Sequence, residues 1–355
     1  MIRALVVDDS HFMRTVITDI LEDGGIDVVA QGANGREAVD LVEEYDPDVV
    51  TMDVEMPEMN GIDAVAAIME RHPVPIMMLS ALTTEGADAT LEAMEEGAVD
   101  VFAKPGGTIS TQLSSHREAL IETVKSVAAA DPSAHRHPSS GAPTTAEPTD
   151  GQVTAADADE YVENPTLVIG ASTGGPNVVE SVLSALPLEA DFRVLVVQHM
   201  PDQFTGRFAK RLDDRSAYDV REASDGDRIG GGEALVAKGD YHLVVGGYSS
   251  GRLRVKLEQS EPVHSVRPAI DVTLESVAAR VADHVTTVLL TGMGADGSGG
   301  VPAIAEAGGT VLVQDEDTCA VFGIPARAIE TGYVDDVLPA EDLVDGILDS
   351  IRRHD

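Results

Sequence analysis

Two series of short apolar runs organise this chain, with a polar stretch between them. In the first series the runs fall at residues 4–7, 28–31, 49–52, 76–80 and 99–103. They are short and nearly continuous in apolar character, as strands buried on both faces are. Between them, residues 13–23, 36–44, 61–71, 86–95 and 114–130 repeat their apolar positions at the three-and-four spacing of helices with one buried face. Five strand–helix alternations predict an α/β domain: a doubly wound, flavodoxin-like parallel sheet with helices on both faces.

The second series has runs at 166–170, 193–198, 233–237, 242–246, 253–257, 286–291 and 310–314. Helix-like segments separate several of them, which predicts a second α/β domain with a mainly parallel sheet. The runs around Leu243 and Val255 flank a glycine-rich turn at 246–251 and predict an antiparallel hairpin appended to that sheet. Between the two series, residues 129–163 are rich in Pro, Ser, Thr, Ala, Gly and acids and carry no period. Such a segment buries too little to offset its ordering entropy and is expected to be a flexible linker. The expected domains are therefore 1–128 and 164–355. His135 and His137 fall in the linker, where no rigid frame supports a metal site.

Charge narrows the partners. The 62 acids against 24 bases give a formal charge of −38, spread along the whole chain. That field repels nucleic acid and anionic lipid, and with five lysines and few aromatics it suits a high-salt cytoplasm, where screening removes self-repulsion. No apolar run is long enough to span a bilayer, and the first run is too short for a signal peptide and is closed by Asp8 and Asp9, so a cytoplasmic protein is expected. The single Cys319 excludes an internal disulfide and points to packing.

Chemistry in doubly wound sheets gathers at the carboxyl ends of the strands. In the first domain Asp8 and Asp9 end the first strand, Asp53 the third, Ser80 the fourth, and Lys104, followed by Pro105, the fifth. Three carboxylates at one edge call for a cation, and hard oxygen donors suit Mg²⁺. A carboxylate beside Mg²⁺ and a lysine can take a phosphoryl group. In the second domain the first strand runs into Gly170-Ala171-Ser172-Thr173-Gly174-Gly175-Pro176, a turn that exposes a hydroxyl ahead of a helix whose first N–H groups could hold an oxyanion. The next strand ends at Gln198-His199, and a later one runs into Gly292-Met293-Gly294-Ala295-Asp296-Gly297. Ser172, His199 and Asp296 thus supply nucleophile, proton carrier and orienting carboxylate, in a chain order unlike chymotrypsin, subtilisin or α/β-hydrolases. His242 and His264 are rival bases, with His264 better suited to touching substrate.

The strand-end pattern of Asp8-Asp9, Asp53, Ser80-Ala81 and Lys104-Pro105, with Met56-Pro57 and Gly61, resembles the receiver domains of two-component response regulators. That resemblance implies phosphorylation of Asp53 by a histidine kinase. Mg²⁺ would be held by Asp8, Asp9, Asp53 and the backbone carbonyl of Glu55, with Ser80 and Lys104 on the phosphoryl group. The position three before the lysine, often aromatic in receivers, is Val101, with Phe102 beside it. The second domain's motifs, extended by Met200-Pro201, Phe204-Thr205, Arg267-Pro268 with Asp271, Gln314-Asp315, Phe322-Gly323 and Pro325, resemble the chemotaxis protein-glutamate methylesterases, the CheB family. Residues 237–239 depart from it by lacking a proline after Ala237.

The joint resemblance implies hydrolysis of glutamate γ-methyl esters, and deamidation of glutamines, on methyl-accepting chemotaxis receptors. It implies a γ-glutamyl ester on Ser172, an oxyanion hole from the N–H groups of Thr173 and Met293, and substrate contact by Arg267. Ester hydrolysis itself would need no cofactor. The unphosphorylated receiver would cover the crevice at Ser172 and loosen on phosphorylation. The competing expectation is a non-enzymatic receptor-binding adaptor with a receiver domain. A nucleic-acid output is excluded by the charge and by the lack of a basic recognition helix.

Overall fold

The computed structural model describes residues 1–80, 84–104, 113–130 and 161–353. The expectations for Ala81, Pro105, His135, His137 and most of the linker lie outside these. The chain divides into two compact units, Met1–His135 and Arg136–Asp355.

The first unit alternates β1 (Arg3–Val7), α1 (His11–Asp23), β2 (Asp27–Gly32), α2 (Gly35–Tyr45), β3 (Val49–Asp53), α3 (Gly61–Arg71), β4 (Ile76–Ser80), α4 (Thr84–Glu95), β5 (Asp100–Ala103) and α5 (Leu113–Ala128). Its strands pair in parallel in the order β2-β1-β3-β4-β5. The order reverses between β1 and β3, and that is where Asp8 and Asp53 emerge. Helix starts are fixed locally: the side chains of Ser10, Asn34 and Asn60 each accept from a backbone N–H three residues on. Gly61 opens α3 against the end of β3, where a Cβ would lie 2.1 Å from the Asp53 carbonyl oxygen.

The second unit contains β6 (Thr166–Ala171), α6 (Gly175–Ala185), β7 (Arg193–Gln198), α7 (Asp202–Arg215), β8 (Asp219–Glu222), β9 (Arg228–Ile229), β10 (Glu233–Val236), β11 (His242–Ser249) and β12 (Arg252–Glu258). It continues through α8 (Ile270–Ala278), β13 (Val285–Leu289), α9 (Val301–Glu306), β14 (Thr310–Gln314), α10 (Ile324–Glu330), β15 (Asp336–Leu338) and α11 (Leu343–Ile351). Seven strands form one parallel sheet in the order β15-β14-β13-β6-β7-β10-β8. The chain starts at the middle strand, β6, runs outward on the β7 side and returns to add β13 on the other. The crevice of the topological switch therefore opens beside the end of β6.

The expected antiparallel hairpin forms from β11 and β12, but with β9 it makes a separate three-stranded sheet instead of extending the parallel one. Its face and edge are taken up by α8: Val245 N–H donates to Ser276 Oγ at 2.9 Å, and Thr273 Oγ1 donates to the Leu243 carbonyl at 2.8 Å. Gly246 and Gly247 lie inside β11 at a register shift, and the turn itself is Ser250-Gly251, both at positive φ. Tyr161, from the stretch whose composition reads as linker, bridges to Arg352, and Val162 N–H donates to Ile351, the last residue of α11. No helix among the described residues is long and apolar enough to cross a membrane.

At the edge of the sheet away from the crevice, Arg193 is wholly buried. Its guanidinium donates to the carbonyls of Gly251 (2.9 Å) and Asn164, to Thr166 Oγ1 (2.8 Å) and to Asp283 (3.3 Å), and stacks 5.0 Å from the Tyr248 ring. One charge thus joins the starts of β6 and β7 to the small antiparallel sheet. Arg193→Ala is expected to lower the unfolding free energy, read by urea titration in high salt, by about 3–5 kcal/mol, because it leaves buried acceptors unpaired. Asp283→Asn, at a partly exposed position, should cost markedly less.

Candidate functional site

At the carboxyl edge of the first sheet, Asp8 and Asp53 are buried and Asp9 is exposed. One carboxylate oxygen from each lies within 4.8 Å of the other two. Lys104 Nζ reaches across the edge to Asp8 Oδ2 at 2.6 Å and Asp53 Oδ1 at 2.7 Å. Asp53 Oδ1 also accepts from the Val54 N–H at 2.8 Å, and the Asp8 carboxylate accepts from the Ser10 N–H at 2.9 Å. Burial raises the Asp53 carboxyl above its ordinary value, the Lys104 ammonium pulls it down, and Asp8 adds to the rise. One ammonium does not neutralise three carboxylates. The donor set is all hard oxygen, as Mg²⁺ requires. Ser80 is buried at the end of β4, Glu55 is exposed in the loop after Asp53, and Val101 is buried in β5 with Phe102 half-buried beside it.

In the second unit the turn that carries Ser172 sits on paired strand ends. Ala171 of β6 pairs with Gln198 of β7, and His199 N–H donates to the Ala171 carbonyl at 3.0 Å. Ser172 and His199 are therefore the first residues past two neighbouring strands. On the other side Ser172 N–H donates to the Thr291 carbonyl at 3.0 Å. Gly292 lies so close that a Cβ there would be 2.7 Å from Ser172 Cβ, which is why the loop after β13 carries glycine at this position. Gly174 takes φ +77° as the turn enters α6.

His199 Nε2 meets Asp296 Oδ2 at 2.8 Å. With Nε2 committed to the carboxylate, Nδ1 is the nitrogen left for a hydroxyl, the reverse of the chymotrypsin arrangement. Among the described residues no hydrogen bond joins Ser172 to His199; such contacts commonly tighten when substrate binds. Asp296 is 2% exposed. Its Oδ2 also accepts the Ile270 N–H at 2.6 Å, and its Oδ1 the Asp271 N–H at 3.0 Å. These are the opening N–H groups of α8, whose own N-cap, Ala269, supplies no side-chain bond. Asp296 thus caps a helix remote in sequence, and the helix dipole favours its charge. Burial alone would raise its carboxyl, yet His199 and the two N–H groups hold it below the ordinary value.

The rival histidines separate cleanly. His242 is fully buried, accepting from the Ala269 N–H on Nδ1 and meeting the Glu261 carbonyl through Nε2, so both nitrogens are used in the fold. His264 is exposed, with Nε2 2.8 Å from Asp271 Oδ2. Asp271 in turn accepts the Gly300 N–H at 2.8 Å. Met293 is 40% exposed beside Gly323, and Thr173 is buried in the turn. Arg267 is already engaged with the Ser260 carbonyl and Asp240, which ties its own loop. At the family departure, Lys238 pairs with Glu222 at 3.4 Å. Cys319 is buried, and burial with Asp315 and Glu316 nearby pushes its thiol far up, as suits packing and not reactivity.

Sequence reasoning did not find the Asp296 clamp on α8. A signal was present: Arg267-Pro268-Ala269 leads into a helix with no Ser, Thr, Asn or Asp to cap it.

Comparison with known proteins bears on both units. The family described as CheB methylesterase is matched over residues 167–347, and the response regulator receiver domain over residues 4–112. The chain is 66% identical over 353 residues, 99% of each chain, to a protein-glutamate methylesterase/protein-glutamine glutaminase of Halobacterium salinarum. It is 58% identical, again over 99% of each, to the protein of the same name from Natronomonas pharaonis. In structure it is similar to the Thermotoga maritima CheB methylesterase catalytic domain, at TM-score 0.51 and 40% identity, over 53% of this chain and 99% of that one.

A carboxyl held below its ordinary value contributes stability in full above the unfolded group's pKa of about 3.9 and loses it as pH falls through the folded value. The stability difference between the wild-type chain and Asp296→Asn is therefore expected to shrink as pH drops below about 4, read by urea titration at fixed salt. A difference that stays constant with pH would show that the charge of Asp296 is not what α8 holds.

Proposed function

The chain belongs to the CheB methylesterase family, with a response regulator receiver domain ahead of the esterase domain, and from that premise we propose that it is a phosphorylation-activated protein-glutamate methylesterase and protein-glutamine deamidase. Its substrates are the methyl-accepting chemotaxis receptors, its phosphodonor is a chemotaxis histidine kinase, and its place of work is the cytoplasm. The domains are a receiver over 1–128, a linker over 129–163 and a catalytic domain over 164–355. The observation that carries the reading is the convergence of Ser172, His199 and Asp296 at the ends of β6, β7 and β13, with His199 already bound to a buried, ionised Asp296.

Ser172 Oγ attacks the γ-carbonyl carbon while His199 Nδ1 takes its proton. Asp296 stabilises the imidazolium through Nε2. The carbonyl oxygen, now anionic, is met by the N–H groups of Thr173 and Met293. The C–O bond to the methoxy group breaks, and His199 returns the proton so that methanol leaves; from a glutamine, ammonia leaves in the same way. Water then attacks the γ-glutamyl ester, giving its proton to His199, and free glutamate and Ser172 are restored. His264, exposed and paired to Asp271, stands ready to touch substrate, whereas Arg267 acts on its loop before it acts on any ligand.

In the receiver, Asp53 accepts the phosphoryl group. Mg²⁺ would be held by Asp8, Asp9, Asp53 and the Glu55 carbonyl, and when bound it neutralises charge on the transferring group. Lys104 and Ser80 receive the phosphoryl oxygens. Lys104 now sits on Asp8 and Asp53, so phosphorylation offers it a new anion.

The test is methanol release from a methylated receptor fragment in high salt, with and without Mg²⁺ and acetyl phosphate. Ser172→Ala should lose at least about 10³-fold in rate with the fold intact. Asp53→Asn, or chelation of Mg²⁺, should keep the basal rate and remove stimulation by the phosphodonor. Receptor binding without release of methanol or ammonia would instead favour an adaptor.

A further inference from the structure

The amide of Gln198 reaches from the end of β7 into the nucleophile turn. Its Nε2 donates to the Ser172 carbonyl at 2.8 Å and approaches the His199 carbonyl at 3.2 Å. The Ser172 carbonyl also accepts the Gly175 N–H at 2.8 Å. That carbonyl belongs to the same peptide as the Thr173 N–H. In a trans peptide the two point in opposite directions. Whatever holds the Ser172 C=O against β7 and α6 therefore aims the Thr173 N–H the other way.

We propose that Gln198 is a positioning residue of the hydrolysis: its amide holds the Ser172–Thr173 peptide in the orientation in which the Thr173 N–H meets the developing oxyanion. This rests on the reading of Ser172 as nucleophile. The shorter of its two bonds is the one to Ser172. The side chain is 1% exposed, and its Oε1 is buried with no hydrogen-bond partner among the described residues. A flipped amide would set Oε1 against two carbonyl oxygens, so the donor end is fixed on Ser172 by chemistry. An apolar side chain of the same length would fill the space without orphaning an acceptor. The helix start is cleared to admit the amide: a Cβ on Gly175 would lie 2.3 Å from Gln198 Oε1. The following peptide is held from the opposite strand, where Thr291 Oγ1 donates to the Thr173 carbonyl at 2.9 Å and accepts the Val321 N–H at 2.9 Å. The β13 side thus fixes one plane of the turn and Gln198 the other.

The experiment uses the full chain and a methylated receptor fragment. It compares Gln198→Met, which keeps length and removes the donor, with Gln198→Glu, whose carboxylate would face the Ser172 carbonyl as a second acceptor. Each is measured for kcat, KM, melting temperature and affinity for a boronic acid that forms a tetrahedral adduct on the serine. Loss of an oxyanion donor costs about 10²–10³ in kcat, and a misdirected donor should cost about tenfold to hundredfold. That loss should fall on kcat and on boronate affinity together, with KM within about twofold and Glu worse than Met. Gly175→Ala, which presses on the same amide from the helix side, should reproduce the pattern and add little in combination with Gln198→Met; it stands in if a Gln198 variant does not fold. Normal kcat in folded Gln198→Met and Gln198→Glu would overturn the proposal, as would a loss confined to KM or one that only follows melting temperature. Ser172→Ala runs alongside: activity surviving in it sinks the nucleophile reading itself, whereas a dead Ser172→Ala beside normal Gln198 variants sinks the role of Gln198 alone.

Discussion

The parallel pairing of β6 with β7 on one side and β13 on the other is the constraint on which the second unit depends. Its register sets Ala171 opposite Gln198 and Gly170 opposite Leu289. Three turns therefore leave the sheet at one level, and short loops suffice to bring a hydroxyl, an imidazole and a carboxylate together. Slipping one strand by a residue would turn every side chain on it to the other face. The register is held far from the chemistry, by Arg193 at the opposite edge, where one guanidinium ties the starts of both central strands. Gly174 then bends the turn at φ +77°, and Gly292 lets the loop approach Ser172 at the crevice as no larger residue could.

The two units treat a buried carboxylate in opposite ways. Asp53 has one N–H and one ammonium for company, with further carboxylates beside it, and burial wins: its carboxyl rises. That is a site in want of positive charge, suited to a cation and a phosphoryl group. Asp296 is as dry, but two helix N–H groups and an imidazole converge on it, and the balance reverses. Its charge is held by dipoles that cannot leave. The contrast is one of donor count around the same functional group.

Much of this was legible along the chain. The apolar runs placed the strands of both sheets that lie between two others, because such strands must be apolar on both faces. In the first sheet the edge strands β2 and β5 were placed as well, but the edges of the second escaped: β8 reads Asp-Val-Arg-Glu and β15 is largely exposed, so neither carries the signal of burial. The placement of Ser172, His199, Asp296, Asp8, Asp53 and Lys104 at the carboxyl edges of their sheets was legible because topology alone sends such residues there. Roles that depend on which groups a side chain meets in remote parts of the chain were not: the bonds of Asp296 to residues 270 and 271, the use of both His242 nitrogens, and the engagement of Arg267 with Asp240. Periodicity records burial and says nothing of hydrogen-bond partners. The salt-adapted composition expected of the chain fits its 66% and 58% identity, over 99% of its length, to proteins of Halobacterium salinarum and Natronomonas pharaonis.

Asp296 serves α8 as well as His199, and the two duties bind the fate of the fold to that of the chemistry. A copy of this chain released from selection for hydrolysis could shed Ser172 at little structural expense. It could not shed Asp296 without uncapping the helix that is bonded to β11. Silent descendants of such an enzyme would keep the aspartate for the sake of the helix, so a conserved acid at this position is poor evidence of activity.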